Sequence, residues 1–156
     1  MKHFLVPTDF SECSAEAYPF LFEQAELLGK EGLHVTLLNV VTIPIITSPD
    51  ALVFVPPDTE NWTKEATKVA GKELTAIREK VFHDLNVTTS VISGAEAVHQ
   101  QIVNVAKEHN VDLIVMGTHG RSGINRLLLG SVADRVIRIA PCPILLVPPK
   151  SQQTGD

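Results

Sequence analysis

Short unbroken apolar runs alternate along this chain with longer stretches in which apolar residues recur every three or four positions. The first pattern predicts strands buried on both faces, and the second predicts amphipathic helices. His3 to Pro7 is the first such run. Thr8-Asp9-Phe10-Ser11 turns it into a helix, with Ser11 as the expected N-cap and Glu12 in the first turn. Ala17, Leu21, Ala25 and Leu28 share one face of that helix, and Gly29 or Gly32 ends it. Pro19 lies inside the same pattern, where a lost backbone bond costs about 3 kcal/mol, so a bend is expected there.

His34 to Val41, HVTLLNVV, is nearly continuously apolar and rich in β-branched residues, and it predicts the second strand. Thr42 to Thr59 has prolines at 44, 49, 56 and 57 and no clean period, which predicts a flap over a site, loose without ligand and partly ordered with it. Asp58 or Thr59 then caps a long helix. Its apolar positions are Ala66, Val69, Ala70, Leu74, Ile77 and Val81, and lysines and glutamates form its solvated side. Val87 to Ile92 alternates apolar with threonine and serine, as an edge strand does. Gly94 breaks it before a helix that keeps Val98, Ile102, Val105 and Ala106 in register. Leu113 to Met116 is the fourth strand. Ser131 is expected to cap a helix carrying Val132, Val136 and Ile139, and Pro143 to Val147 is the fifth strand. Strands alternating with helices imply crossover units, a mostly parallel sheet and helices on both faces. No internal repeat is evident.

Composition narrows the picture. A chain of 156 residues suits one domain, expected over residues 1–148, with 149–156 as a flexible polar tail. A formal charge of −5, without a lysine or arginine cluster, argues against a nucleic-acid surface, so any anion must be bound locally. No signal-peptide pattern opens the chain and no apolar run reaches membrane-span length, so a cytoplasmic protein is expected. Cys13 and Cys142 are too few for a disulfide scaffold. Cys142, between two prolines at the entry to an apolar strand, reads as a small buried hydrophobe. Cys13 follows the expected N-cap, where a helix N-terminus can lower a thiol pKa; without a neighbouring histidine or a resolving cysteine the structural reading is the favoured one. The six histidines, at 3, 34, 83, 99, 109 and 119, show no ligand-like pairing in sequence, so no dedicated metal site is expected.

The chemistry is concentrated in residues 117–131, GTHGRSGINRLLLGS, which lie between the fourth strand and the last helix. Glycines at 117, 120, 123 and 130 let backbone N–H groups converge on an anion at a helix N-terminus, and a phosphate is the natural guest. An ordinary strand-to-helix connection is the competing interpretation of glycines taken alone. The commoner nucleotide signatures are absent. There is no G-x-x-x-x-G-K-S/T, the glycines run G-x-x-G-x-x-G rather than G-x-G-x-x-G, and no G-x-S-x-G nucleophile elbow occurs. In a doubly wound sheet ligands sit beyond the carboxyl ends of the strands where strand order reverses, and order 3-2-1-4-5 puts that reversal between the first and fourth strands. Asp9 closes the first strand and Gly117 opens the loop after the fourth. A carboxylate there can accept hydrogen bonds from ribose hydroxyls while the loop holds phosphates; alternatively, Asp9 only caps the first helix.

Gly117-x2-Gly120-x9-Gly130-Ser131, followed by Cys142-Pro143-Ile144-Leu145-Leu146-Val147 and preceded by Val6-Pro7-Thr8-Asp9-Phe10-Ser11, resembles the ATP-binding signature of the universal stress protein family. The resemblance spans the whole domain. It implies a three-layer α/β/α fold of the Rossmann-like, adenine nucleotide alpha hydrolase-like kind, with a five-stranded mostly parallel sheet in the order 3-2-1-4-5. It also implies roles: Pro7, Thr8 and Asp9 bracket the nucleoside, Val40 meets the adenine through its backbone, Met116, Gly117 and Gly120 flank the ribose and phosphates, and Gly130, Ser131 and Val132 complete the phosphate cradle. Asn39 stands before Val40 where many relatives carry histidine. Arg121 and Arg126 add charge near the loop, and His119 alone is weak support for catalysis.

The expected ligand is therefore ATP, with magnesium arriving on the nucleotide, and the expected role is regulatory, in a stress response. No P-loop lysine, general base or nucleophile is aimed at the γ-phosphate, so little turnover is expected. A slow ATP hydrolase or nucleotidyl-transfer enzyme, and an interaction module with a vestigial pocket, are the alternatives. Ile144 to Val147 would end the sheet as an unpaired apolar edge, and pairing it with its copy predicts a homodimer, as the resemblance also implies.

Overall fold

The computed structural model describes residues 1–43, 46–47, 53–54, 58–118 and 129–149. Within them the strands are β1 (Lys2–Pro7), β2 (Leu33–Thr42), β3 (Ile46–Thr47), β4 (Val53–Phe54), β5 (Val87–Gly94), β6 (Leu113–Gly117) and β7 (Ile144–Val147). The helices are α1 (Glu12–Ala15), α2 (Tyr18–Leu28), α3 (Thr59–Val81), α4 (Val98–Glu108) and α5 (Ser131–Ile139). Five strands form one sheet in the order β5-β2-β1-β6-β7, and every pairing is parallel. Numbered along the five main strands, that is 3-2-1-4-5, as expected.

The unbroken apolar runs have a direct cause. Phe4 and Val6 of β1 and Val35 and Leu37 of β2 point to one face, where they pack with Tyr18, Leu21 and Ala25 of α2 and Leu74 of α3. Leu5 and Leu38 point to the other, against Ile102, Val105 and Ala106 of α4 and Val136 of α5. A strand covered on both sides has no polar face to display, and this gives the three-layer α/β/α arrangement.

Several local expectations are corrected. Pro19 does not bend one helix; the chain breaks into α1 and α2, and Pro19 falls in the first turn of α2, where the missing N–H has no helical acceptor to lose. Gly29, at φ +77°, ends α2. Asp58 precedes α3 in the left-handed region, φ +85°, and supplies no side-chain cap. Val69 lies off the buried stripe of α3 and is exposed, whereas Ala70 and Leu74 are buried. Ser131 is the first residue of α5 rather than its cap, a position Gly130 takes. Residues 42–59 contain a feature their composition hid, a two-stranded antiparallel pairing of β3 with β4; most of the expected flap lies outside the described residues. Cys142 is half-buried rather than buried. Burial pushes its thiol pKa up, against a hydrogen bond with the Ile114 backbone and with a smaller push from Asp112. The tail from residue 150 onward also lies outside the described residues.

Candidate functional site

The ladder between β1 and β6 is registered at only two positions, Phe4 with Leu113 and Leu5 with Ile114, whereas β1 stays on β2 as far as Pro7 with Leu38. Beyond Leu5 the two central strands therefore lack the pairing their neighbours keep. This is the point where strand order reverses, and in a doubly wound sheet ligands bind there, beyond the carboxyl ends of the strands.

On one side is the turn that follows β1. The Thr8 N–H donates to the Leu38 carbonyl at 2.8 Å, and the Thr8 carbonyl accepts from the Asn39 side-chain amide at 2.8 Å. Thr8 and Asn39 are both buried, so these bonds satisfy groups that would otherwise be orphaned. The Thr8 hydroxyl lies 2.9 Å from that of Ser14, accepts from the Phe10 N–H at 3.1 Å, and faces the Tyr18 phenol at 3.5 Å. Burial pushes the Tyr18 pKa up; the Thr8 hydrogen bond opposes this and the Asp9 carboxylate adds to it. Phe10 has φ +66°, a left-handed conformation that costs an aromatic residue free energy and that the surrounding bonds hold in place.

Asp9 Oδ1 accepts from the Ser11 backbone N–H at 3.1 Å and from the Ser11 hydroxyl at 2.6 Å. Ser11 Oγ in turn accepts from the Ser14 N–H at 3.2 Å, capping α1 as expected. Asp9 therefore braces the cap without being the cap.

The other side begins at the end of β6. Met116 is buried, and Thr118 N–H donates to the Val147 carbonyl at 3.0 Å, continuing the β6–β7 ladder by one bond. The Thr118 carbonyl accepts from the Gly130 N–H at 2.8 Å. The chain that leaves at Thr118 thus returns to it at Gly130, and the two ends of the glycine-rich stretch are pinched together at the start of α5. Gly120 lies outside the described residues, as do Gly123, His119, Arg121 and Arg126. Gly130 has φ −60° and ψ 146°, an ordinary extended conformation, so a Cβ there is opposed by space alone and not by backbone strain. Its carbonyl accepts from Asp134 N–H at 2.9 Å. Ser131 is exposed at the N-terminus of α5, and Val132 is half-buried against the α4–α5 side of the core.

The expected residues thus fall into two groups at the carboxyl end of the sheet: Pro7, Thr8 and Asp9 at the end of β1 and after it, and Met116, Gly117, Gly130, Ser131 and Val132 around the end of β6 and the start of α5. Val40 stands one residue beyond Asn39 on β2, whose side chain ties β2 to the first group. Sequence reasoning missed the bracing residues Ser14 and Tyr18 and treated Asn39 as a mere departure from relatives. The available signal was an amide inside HVTLLNVV: a polar side chain in a strand buried on both faces must find a partner. Among the described residues no group of three His, Cys, Asp or Glu side chains is arranged to hold a metal ion, and no helix is long and apolar enough to cross a membrane.

Fold and strand order together define a doubly wound α/β protein with its topological switch point between β1 and β6. The universal stress protein family model matches residues 1–148, and the chain belongs to that family. It is 34% identical over 150 residues to universal stress protein MJ0531 of Methanocaldococcus jannaschii, covering 94% of this chain and 81% of that protein. It is also 34% identical to universal stress protein YxiE of Bacillus subtilis, covering 92% and 96%. Among solved structures, M. jannaschii protein MJ0577 shares the fold with a TM-score of 0.72 at 27% identity, covering 97% and 98%. Two more distant family members sharing the fold hold adenine nucleotides: an Arabidopsis thaliana protein with AMP bound (15% identical, TM-score 0.63, covering 100% and 97%) and an Archaeoglobus fulgidus protein in complex with dAMP (21% identical, TM-score 0.58, covering 94% and 97%).

Proposed function

We propose that this universal stress protein binds ATP, with or without magnesium, beyond the carboxyl ends of β1 and β6, and that it acts as a regulatory module in a stress response with little or no turnover. The observation that carries this reading is the pair of backbone closures at one end of the sheet. Asn39 holds the Thr8 carbonyl after β1, and Gly130 closes on Thr118 after β6, both at the end of the sheet where the β1–β6 ladder stops short. In this reading Pro7, Thr8 and Asp9 bracket the nucleoside and the Val40 backbone meets the adenine. Met116, Gly117 and Gly120 flank the ribose and phosphates, and Gly130, Ser131 and Val132 complete the phosphate cradle, with Ser131 and Val132 donating from the first turn of a helix whose dipole favours an anion while the Gly130 N–H stays on the Thr118 carbonyl. The AMP and dAMP held by family members of the same fold support an adenine nucleotide as the class of ligand.

Titration calorimetry with ATP tests the reading, and native mass spectrometry of the purified protein asks whether an adenine nucleotide is retained. Absence of binding at millimolar ATP by the folded protein would overturn it. Steady phosphate release above a protein-free control would replace the regulatory module with a slow hydrolase. Asp9→Ala should weaken ATP more than inorganic triphosphate, because only the former offers a ribose to the carboxylate.

The protein is further proposed to be a homodimer joined through Ile144–Val147. Within the described sheet β7 pairs only with β6, all four of its residues stay partly exposed, and the preceding helix carries Ile137 and Ile139 at 44% and 40% exposure. Joining two such edges across a two-fold axis removes an aggregation-prone edge. A monomer in sedimentation at micromolar concentration, with and without ATP, would overturn this. Cytoplasmic residence is proposed on the two free thiols, Cys13 and Cys142, which suit a reducing compartment, and cell fractionation tests it.

A further inference from the structure

At the amino-terminal end of the sheet, opposite the proposed nucleotide site, four polar side chains from three strands join into one chain of hydrogen bonds. His3 Nε2 of β1 lies 2.8 Å from Thr36 Oγ1 of β2. Thr36 Oγ1 lies 3.2 Å from Thr88 Oγ1 of β5, which lies 3.1 Å from His34 Nε2 of β2. The chain returns on itself, because the His3 and His34 rings are stacked with centroids 4.4 Å apart. We propose that this cluster is a one-proton switch, which shares a single extra proton between its two ends with every hydrogen bond intact and resists a second through the charge of its stacked rings.

The argument is a count of hydrogens. Three links, N···O, O···O and O···N, need three hydrogens, and the two hydroxyls supply two, so one of the two imidazole nitrogens must donate and the other accept. Which one donates is fixed by the remaining nitrogen of His3. Nδ1 lies 3.2 Å from the His109 carbonyl, which can only accept, so Nδ1 carries a hydrogen. A neutral His3 therefore accepts at Nε2, Thr36 donates to it, Thr88 donates to Thr36, and His34 Nε2–H donates to Thr88.

A first proton fits in two ways. It can add to His34 Nδ1, leaving every link as it was. Alternatively it can reside on His3, whose Nε2–H then donates to Thr36, both hydroxyls reverse, and His34 becomes a neutral Nδ1–H imidazole accepting at Nε2. The two forms differ only by a proton passed along the hydroxyls, so the pair titrates as a unit. A second proton makes both ends donors: Thr88, which is exposed, then accepts from both Thr36 and His34 and turns its own hydrogen to solvent, so the three links survive and what opposes the second proton is the pair of cations in stacked rings.

The charged and titratable groups facing the cluster come from each neighbouring element. The His109 ring, at the end of α4, approaches His3 edge-on at 6.3 Å. Asp112, before β6, accepts from the His3 backbone N–H at 2.8 Å and pairs with Lys2 of β1 at 2.9 Å. The amino terminus adds positive charge near Asp112. Burial lowers the His34 pKa, and His3 and then His109 lower it further, as a cluster that resists a second proton requires.

Long-range proton–nitrogen spectra of the histidines, recorded on the full chain from pH 9 to pH 5, test this directly. At pH 9 His3 should be the Nδ1–H tautomer and His34 the Nε2–H tautomer. On acidification the two should share the first proton and take the second at a pH lower by about one unit or more. Thr88→Val removes the link between them. His34 should then lose its single tautomer and the first proton should no longer pass between the rings along the hydroxyls, although their stacked charges still oppose a second, whereas Thr88→Ser keeps the wild-type behaviour. Finding His34 as the Nδ1–H tautomer in the wild type at pH 9 would overturn the proposal without any variant. So would a folded Thr88→Val protein with unchanged tautomers and midpoints.

Discussion

The two ends of the central sheet handle polar groups in opposite ways. At the amino end His3, Thr36, Thr88 and His34 bond to one another, side chain to side chain, and the bonds run across β1, β2 and β5. At the carboxyl end side chains also bond one another, within the turn after β1 and α1–α2, but the bonds that join distant segments fix backbone: Asn39 on the Thr8 carbonyl, Thr8 on the Leu38 carbonyl, Gly130 on the Thr118 carbonyl. Side chains that satisfy each other make a closed structure that responds to protons. Backbone held in place where the pairing of two strands stops short can receive something else. The same strands supply both, so the difference comes from which residues stand at each end.

The largest effect that would break this comparison is expected from Gly130→Val. The backbone at 130 is extended, so valine is tolerated by the fold, while its branched side chain occupies the space beside the N-terminus of α5. ATP binding should weaken by on the order of 100-fold or more, about 2.7 kcal/mol, with an unchanged melting midpoint. Calorimetry with circular dichroism as the fold control checks both, and full-strength binding by the folded variant would move the phosphates elsewhere.

Asn39→Ala should come next. It leaves the buried Thr8 carbonyl without its side-chain donor, a loss of about 1 to 3 kcal/mol of stability by urea denaturation. A loss near zero would mean that water replaces the amide. Ser131→Ala separates binding from folding. Its hydroxyl is exposed and does not cap α5, so stability should change by less than about 0.5 kcal/mol. Binding should fall by about 1.5 to 3 kcal/mol if the hydroxyl meets a charged phosphate.

The smallest effect belongs to the amino end. His34 has its pKa lowered by burial first and by His3 and His109 after it, so the folded chain binds its proton less readily than the unfolded chain. That contribution to stability is fully present above the unfolded histidine value of about 6.5 and is lost as pH falls below it. Urea midpoints at pH 8 and pH 5.5 should therefore diverge more for wild type than for His34→Asn. Thr88→Val should leave ATP affinity unchanged, which would establish that the two ends act separately.

Much of this was legible in the residues alone. The period of apolar positions located all five main strands, because a strand covered on two faces is largely apolar, and the expected order 3-2-1-4-5 is the one observed. Pro19 showed where local chemistry has more than one solution: the same ring that would bend a helix fits the start of a new one. Val69 failed for a related reason. The apolar pattern of α3 allowed it a place on the stripe, and the packing of α3 on β5 and β2 buried Ala70 and Leu74 instead.

The sequence by itself determined the family, through the resemblance of its motifs, and the layer order and the positions of glycine, aspartate and serine from which a nucleotide site is inferred, which follow from periodicity and from local backbone chemistry. Only the tertiary structure decided what the scattered polar residues do. Asn39 acquires its partner from another strand, and Thr118 and Gly130 meet across a long stretch of chain. His3, His34, Thr36 and Thr88 become neighbours only because β1, β2 and β5 lie side by side in register. Hydrogen bonds act over a few ångströms, and no spacing along one strand reveals which residue of another will stand opposite it.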